Sequence, residues 1–340
     1  SRGYDPNGEI SLIDFTGMNQ DEIKVWLKSN NIGNYAFNRT YDEAVAGGDF
    51  VKVVVKKIDE RDENLRRDQY VFSYSAGNLV VEELDFSNPD SIRGVNLGGW
   101  FVLEGWMTPG LFSGVDGSDE TAFMDQKTDA EAVLQNHWET FITEEDFQWL
   151  EDHGVEYVRL PIPWWYEGDS TVVDGKTIQY ADSSDYIHQA MQWAETYNVK
   201  VLLDLHTAPG CQNGFDNGGI AGQLEWDTPE NRALTVVILE KIAIEFSIYD
   251  SLWGIEVLNE PANWGINMNN LLDFYVDSYN VIRLHNTDVW IGFHDAFTGG
   301  NYSFWASFFL NQTFTNVFFD MHLYQTFGDG WGSYDIFDHL

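Results

Sequence analysis

Short runs of aliphatic and β-branched residues alternate with long helical stretches from Ser91 to the end of the chain, and no other feature limits the fold so strongly. Strands joined through helices lie parallel, each helix crossing over one face of the sheet. The pattern predicts strands near Ile92–Leu97, Val155–Leu160, Val199–Leu205, Trp253–Leu258, Val289–Phe293 and Val317–Met321. It predicts helices over Ala130–Asp152, Ser184–Tyr197, Pro229–Phe246, Met268–Leu284 and Phe304–Leu310. Repeated this regularly, the alternation describes an α/β fold of the (β/α)8 TIM-barrel type, which takes about 250 residues. About six of its eight strands are legible in residues 91–340, and the pattern stops before a seventh.

Residues 1–88 follow a different rule and read as a small α+β accessory module. Asn19–Asn31 places Ile23, Trp26 and Leu27 on one helical face, and β-type runs follow at Phe50–Val55, Tyr70–Tyr74 and Leu79–Val81. The charged stretch Lys56–Asp68 reads as a solvated loop and Asp85–Asp90 as the linker. The helix-then-strands order, with Gly17-Met18 before it and Tyr74-Ser75-Ala76-Gly77 near its end, weakly resembles the PASTA-like repeats of bacterial surface proteins.

The formal net charge is −37, of which −30 falls in residues 91–340. Such a field repels phosphate backbones, which argues against nucleic acid as a partner and leaves neutral polymers unaffected. A single cysteine, Cys211, excludes an intrachain disulfide. Zinc-ligand spacing is absent, and no metal or cofactor is expected. No apolar run approaches the ~18 residues of a membrane-spanning helix. The start at Ser1 instead of Met suggests removal of a leader, and sequons at Asn38, Asn301 and Asn311 are compatible with secretion. The expectation is a secreted or cell-surface protein, with residues 1–88 as a means of wall or surface association.

Chemistry concentrates where strands end. Gly254-Ile255-Glu256-Val257-Leu258-Asn259-Glu260-Pro261 is an apolar run closed by an amide, a carboxylate and a proline that cannot extend a ladder. Asn259 and Glu260 therefore fall at the C-terminal lip, where parallel α/β folds carry their sites. Glu104 follows the first strand and Arg159 lies near the end of the second. Asp204-Leu205-His206 closes the third, His294-Asp295 the fifth, and His322 with Tyr324 the sixth. Any one of these is an ordinary structural residue. Six sets at one end of six strands point to a site.

Five segments together resemble glycoside hydrolase family 5, and most nearly its exo-β-1,3-glucanases. They are Ile92–Glu104 (IRGVNLGGWFVLE), Asp204–Asn217 (DLHTAPGCQNGFDN), Gly254–Pro261, His294–Phe297 (HDAF) and His322–Phe327 (HLYQTF). The resemblance implies a β-glucan or β-glucoside substrate and retaining hydrolysis. Glu260 takes the place of the general acid/base and Asn259 that of the residue binding the 2-hydroxyl beside the cleaved bond. Arg159 matches the arginine supporting the nucleophile, and His206, His322 and Tyr324 match the surrounding shell. Glu104, Asp216 and Asn217 match the polar wall that closes the pocket, while Phe215 and Phe327 match a pair of rings clamping a sugar. His294 and Asp295 join the substrate-binding set. A carboxyl among aromatic walls is expected to have a raised pKa, which suits a proton donor.

The chain departs from that pattern in one respect. The family's nucleophile, a glutamate at the end of the seventh strand, has no match here and is expected beyond residue 340. Glu256 reads as structural, and Asp320 sits on the wrong wall. The tryptophan platform after the eighth strand is also missing. Three explanations stand: a longer enzyme, a second chain that completes the barrel, or a non-catalytic carbohydrate-binding or surface-assembly protein on the same scaffold. Trp164, Trp165, Trp226 and Trp264 read equally as sugar platforms or as loop packing, and Cys211 is expected to be buried and inert.

Overall fold

The computed structural model describes residues 35–40, 50–56, 69–75, 94–299, 302–322 and 324. The helix expected at Asn19–Asn31, the strand at Leu79–Val81 and Phe327 lie outside the described residues. The chain divides into two units, Ser1–Ser91 and Ile92–Leu340.

In the first unit, β1 (Tyr35–Thr40), β2 (Phe50–Lys56) and β3 (Gln69–Ser75) form one sheet with β3 in the centre. β3 runs parallel to β1 and antiparallel to β2. The two runs read as strands at 50–55 and 70–74 are β2 and β3. β1 was not legible, because Tyr-Ala-Phe-Asn-Arg-Thr mixes strand-forming rings with Asn and Arg and shows no clean alternation.

The second unit is built on six parallel strands: β4 (Gly94–Asn96), β5 (Tyr157–Ile162), β8 (Lys200–Leu205), β9 (Leu252–Glu256), β10 (Trp290–His294) and β11 (Val317–Asp320). Their spatial order, β11-β10-β9-β8-β5-β4, follows the sequence without reversal. A doubly wound sheet reverses at a switch point, whereas a barrel wall does not. The sheet is six consecutive strands of a (β/α) barrel.

Helices fill the intervals: α1 (Glu120–Gln126), α2 (Ala130–Thr140), α3 (Glu144–Asp152), α4 (Ser184–Thr196), α5 (Pro229–Phe246), α6 (Met268–His285) and α7 (Tyr302–Leu310). The single helix expected over Ala130–Asp152 is two. Thr143 interrupts it as a new N-cap, its backbone N–H bonded to Asp146 Oδ2 at 2.8 Å. α5 starts where expected, with Pro229 in its first turn and the Thr228 side chain accepting from Asn231 N. A small hairpin also went unread: β6 (Ser170–Val173) and β7 (Lys176–Gln179) meet at Asp174-Gly175, both left-handed at φ 51° and 77°. Asp-Gly in that conformation is a strong two-residue hairpin turn.

Strand register assigns the two faces. Val158, Leu160, Ile162, Val201, Leu203, Leu205, Ile255, Ile291 and Phe293 alternate onto the buried core. That core includes Ile187, Ala190 and Ala194 of α4, Leu239 and Ile242 of α5, and Leu271, Tyr275 and Ile282 of α6. The opposite face carries Arg159, Asp204, Glu256 and Asp320, with Asp204 beside Glu256 in the β8–β9 pairing. Charge on this face needs room. At Gly292 a Cβ would stand 2.4 Å from the Phe318 ring, so only glycine lets that ring fill the space.

Candidate active site

Regular pairing of β9 ends at Glu256, four residues before the acid at 260. The chain stays tied beyond it, for Val257 N donates to Gly292 O at 3.1 Å and Asn259 N to Leu205 O at 3.0 Å. Glu260 then turns left-handed at φ 47°. Among the described residues, the non-glycine positions with positive φ that are not Asp or Asn are Cys211, Glu260, Ala296 and Phe297. All lie in the loops after β8, β9 and β10. Such conformations cost about 1–3 kcal/mol each and persist only where surrounding contacts impose them.

Arg159 organises the floor. Its Nε donates to Glu256 Oε2 at 2.8 Å, and Nη2 reaches Asp204 Oδ2 at 2.9 Å and Asn259 Oδ1 at 2.8 Å. Asn259 is wholly buried, and with its oxygen held by Arg159 its Nδ2 amide has no partner among the described residues. A buried donor of this kind is a ready partner for a ligand oxygen. Burial drives the Glu256 carboxyl well above its ordinary pKa, with Asp204 and Asp320 adding to the effect against the pull of Arg159. Asp204 also bonds His206 Nδ1 at 2.5 Å, and His206 Nε2 stands 4.0 Å from Glu104 Oε1. Glu104 is buried and its pKa is raised, first by that burial and also by Asp216 and Glu260. Its other oxygen accepts from Trp106 Nε1 at 2.9 Å.

Glu260 is gripped from two sides. Oε1 lies 2.5 Å from His322 Nδ1, and Oε2 accepts from Asn217 Nδ2 at 2.7 Å. His322 Nε2 in turn stands 3.1 Å from Asp320 Oδ2. A ring with a carboxylate at each nitrogen can donate to both only as imidazolium, so one extra proton is shared along Glu260–His322–Asp320. Burial alone would lower His322, but the bonds to Asp320 and Glu260 outweigh it and push its pKa up to about 10. For Glu260, burial pushes up, while His322 and Asn217 pull harder and hold the carboxyl below the ordinary glutamate range. The expected upward shift is thus reversed, because the aromatic-walled environment read from sequence contains a cation.

The walls are stitched together. Gln212 Nε2 donates to His206 O and Asn259 O, both at 2.9 Å, and Ala262 N donates to Gln212 O at 3.1 Å. Three consecutive residues bind the first wall to its neighbours: Asp119 Oδ2 accepts from Ala221 N and Thr121 Oγ1 donates to Gly219 O, both on the third wall, while Glu120 takes Leu103 N at 3.0 Å and Trp165 Nε1 of the second wall at 3.1 Å.

Of the residues expected from sequence, Glu104, His206, Arg159 and Asn259 are linked through Asp204, and Asn217, Glu260 and His322 form a second set. The two meet where Asp320, bonded to His322, stands against Glu256, the partner of Arg159. Asp216 adjoins the second set through Asn217, whose N–H bonds Asp216 Oδ1 at 3.1 Å. Tyr324 is 55% exposed with its ring 5.9 Å from His322. His294 and Asp295 are placed differently from the expectation: His294 is fully buried with Nδ1 accepting from Ala296 N, and Asp295 Oδ1 accepts from Phe297 N. Both shape their own loop. Trp164, Trp165 and Trp226 are buried and are no sugar platforms; Trp264 is 59% exposed. Sequence reasoning missed Trp106, Gln212 and Asp119–Glu120, and it set Asp320 aside. Asp-X-His at 320–322 was the signal for that carboxylate.

A family model for cellulase (glycosyl hydrolase family 5) matches residues 120–335. A glucan 1,3-beta-glucosidase of Blumeria graminis is 38% identical over 251 residues, covering 72% of this chain and 57% of that protein. A probable glucan 1,3-beta-glucosidase A of Emericella nidulans is 37% identical over 259 residues, covering 74% of this chain and 61% of that protein. The chain thus spans about three-fifths of the length of these curated relatives. Among solved structures, a rutinosidase from Aspergillus niger superposes with a TM-score of 0.60 at 22% identity, over 70% of this chain and 71% of that one, a likeness of fold. On the match of sequence, strand order and site, the chain belongs to glycosyl hydrolase family 5.

Proposed function

We propose that the second unit carries the acid/base half of a retaining glycoside hydrolase acting on β-1,3-glucan from its non-reducing end. The observation that carries this reading is the Asn259–Glu260 pair. A carboxyl shares a proton with His322 on one side and lies next to a buried amide that has no partner among the described residues on the other.

The chemistry follows from these contacts. The proton resting between His322 and Glu260 passes through Glu260 to the glycosidic oxygen as the bond to the anomeric carbon breaks. Asn259 Nδ2 donates to the sugar's 2-hydroxyl, a bond that strengthens as positive charge develops on the ring. A second carboxylate, about 5–5.5 Å from the first in retaining enzymes, attacks the anomeric carbon; it is expected beyond residue 340. Glu260 then takes a proton from water for the second half-reaction. Arg159, fixed by Glu256 and Asp204, holds Asn259 in register. Glu104, Asp216 and Asn217 close the far wall, which supports release of single glucose units. Tyr324 is assigned to the mouth of the pocket.

Secretion or display at the cell surface, wall association through residues 1–88, and completion of the barrel by further chain or a second chain belong to the same proposal. Product analysis on laminari-oligosaccharides tests the reading. Glucose released from the non-reducing end, first as the β-anomer, supports it. Release of the α-anomer or of internal fragments contradicts it, and binding without any turnover would favour the carbohydrate-binding alternative.

A further inference from the structure

Glu256 of β9 and Asp320 of β11 stand against each other across β10. Strands two places apart in a sheet are separated by about 10 Å, so side chains on them seldom meet. Here the strand between puts nothing in the way. The residue of β10 beside Glu256 is Gly292, which has no side chain, and the next inward position is His294, paired with Asp320. An oxygen of Glu256, an oxygen of Asp320 and a nitrogen of His322 all fall within 4.8 Å of one another.

The donors around the two acids are already committed. Arg159 Nε donates to Glu256 Oε2 at 2.8 Å, while Nη2 is taken up by Asp204 and Asn259. His322 turns one ring nitrogen to Asp320 and the other to Glu260. Tyr275 of α6 spends its hydroxyl on His294 O, and His294 Nε2 bonds neither acid. Asp295, the remaining ionisable neighbour of Asp320, brings only another carboxyl. Glu256 is wholly buried, and its Oε1 has no hydrogen-bond partner among the described residues.

Two acceptor groups thus meet with no donor between them. Two ionised carboxyls so placed repel, and a proton held by one of them turns the repulsion into a hydrogen bond. Their surroundings divide the roles. Burial raises Glu256, with Asp204 and Asp320 adding to the effect against Arg159. Burial would raise Asp320 too, but His322 and Arg159 outweigh it and hold that carboxyl below the ordinary aspartate range. A metal ion in the same place would need His322 Nε2, which Asp320 already engages.

We infer that Glu256 keeps its proton at neutral pH and donates it to Asp320, and so is a positioning residue that acts through Asp320 and His322 on Glu260. Its effect on catalysis rests on the reading of Glu260 as the acid/base; its protonation does not. By sharing Asp320, Glu256 weakens the hold of that carboxylate on His322 and leaves the ring's proton nearer Glu260. Arg159 then has the single charge of Asp204 to balance, and no third carboxylate charge is buried in the floor.

The test is infrared spectroscopy of the protein and of Glu256→Gln. The pH is set between about 7, where Glu120 gives up its proton, and about 10, where His322 does. The natural protein should show the carbonyl stretch of a protonated carboxylic acid, and the variant should lose it. Glutamine keeps both bonds, its oxygen accepting from Arg159 and its amide donating to Asp320. The nitrogen-15 titration of His322 should therefore stay where it is in the natural protein. An ionised Glu256 would predict a fall of about one unit or more, because the substitution would remove a charge close to the ring. That fall, a band that persists in the variant, or no band in the natural protein overturns the inference. The carbon-13 shift of the Glu256 carboxyl in the natural protein reads the same state, so a variant that fails to fold leaves the test intact. None of these readouts depends on turnover, which separates failure of this inference from failure of the acid/base reading.

Discussion

His322 Nδ1 lies 2.5 Å from Oε1 of Glu260, and this contact decides which protonation states the site can hold. With Asp320 at the other ring nitrogen, the imidazole is a stored proton beside the residue that must deliver one. A lone carboxyl in an apolar pocket would keep its own proton. Here the pair keeps it jointly.

At neutral pH, nitrogen-15 NMR should therefore show both ring nitrogens of His322 protonated, in line with its pKa of about 10. Asp320→Asn removes one of the two anionic partners and should move that titration down by a unit or more toward the ordinary histidine value of about 6.5. A neutral His322 at pH 7 in the natural protein would contradict the shared-proton account.

The same pair links stability to pH with a definite sign. His322 is raised, so its contribution is complete below about pH 6.5 and is lost as pH climbs through about 10. Glu260 is lowered, so its contribution is present above the ordinary glutamate value and is lost as pH falls through its folded pKa. The destabilisation caused by His322→Asn should be greatest between about pH 5 and 7 and should shrink in the alkaline range. A penalty that grows toward pH 10 would refute the pairing.

Glu120 behaves in the opposite sense. Burial raises its carboxyl to about 7, against the bonds from Leu103 N and Trp165 Nε1. A raised acid stabilises at low pH, and that contribution declines as pH rises from about 4.5 toward 7. Glu120→Gln should be destabilising, and its penalty should fall by up to about 3 kcal/mol across that window. Denaturant midpoints at pH 4.5 and 7.5 read this directly, and a constant penalty would show that Glu120 stays charged.

Arg159 is bonded to two buried acids at once, through contacts of 2.8 Å to Glu256 and 2.9 Å to Asp204. Arg159→Met should cost about 3–5 kcal/mol, because it strands both acids away from water. Adding Glu256→Gln should recover part of that loss, a non-additivity that a double-mutant cycle measures. Simple additivity would mean the two side chains do not share this role.

The parallel sheet and the lip carrying Asn259 and Glu260 were legible because hydrophobic period and strand-ending proline are local properties. All six strands of the second unit fall within a few residues of their expected positions, and Pro229–Phe246 coincides with α5. Charge state was not legible. Whether Glu260 is raised or lowered depends on which nitrogen of His322 faces it, and strands β9 and β11 are not even neighbours. Packing and platform could not be told apart for the tryptophans for a related reason: Trp165 stacks on Tyr180 at 3.8 Å, a tertiary contact that composition cannot separate from a sugar platform. Asp119–Glu120 escaped notice because a short acidic helix start has ordinary sequence, and its function as a clip between loops exists only in three dimensions.

The central claim is that Glu260 gives the leaving group its proton, and comparing leaving groups in Glu260→Ala tests it most directly. For a β-glucoside with a poor leaving group, the substitution should reduce turnover by about 10²–10⁴-fold. For an activated aryl β-glucoside, whose departure needs little protonation, the loss in the bond-breaking step should be far smaller. Equal losses on both substrates, or none on either, would contradict the assignment of Glu260 as the acid.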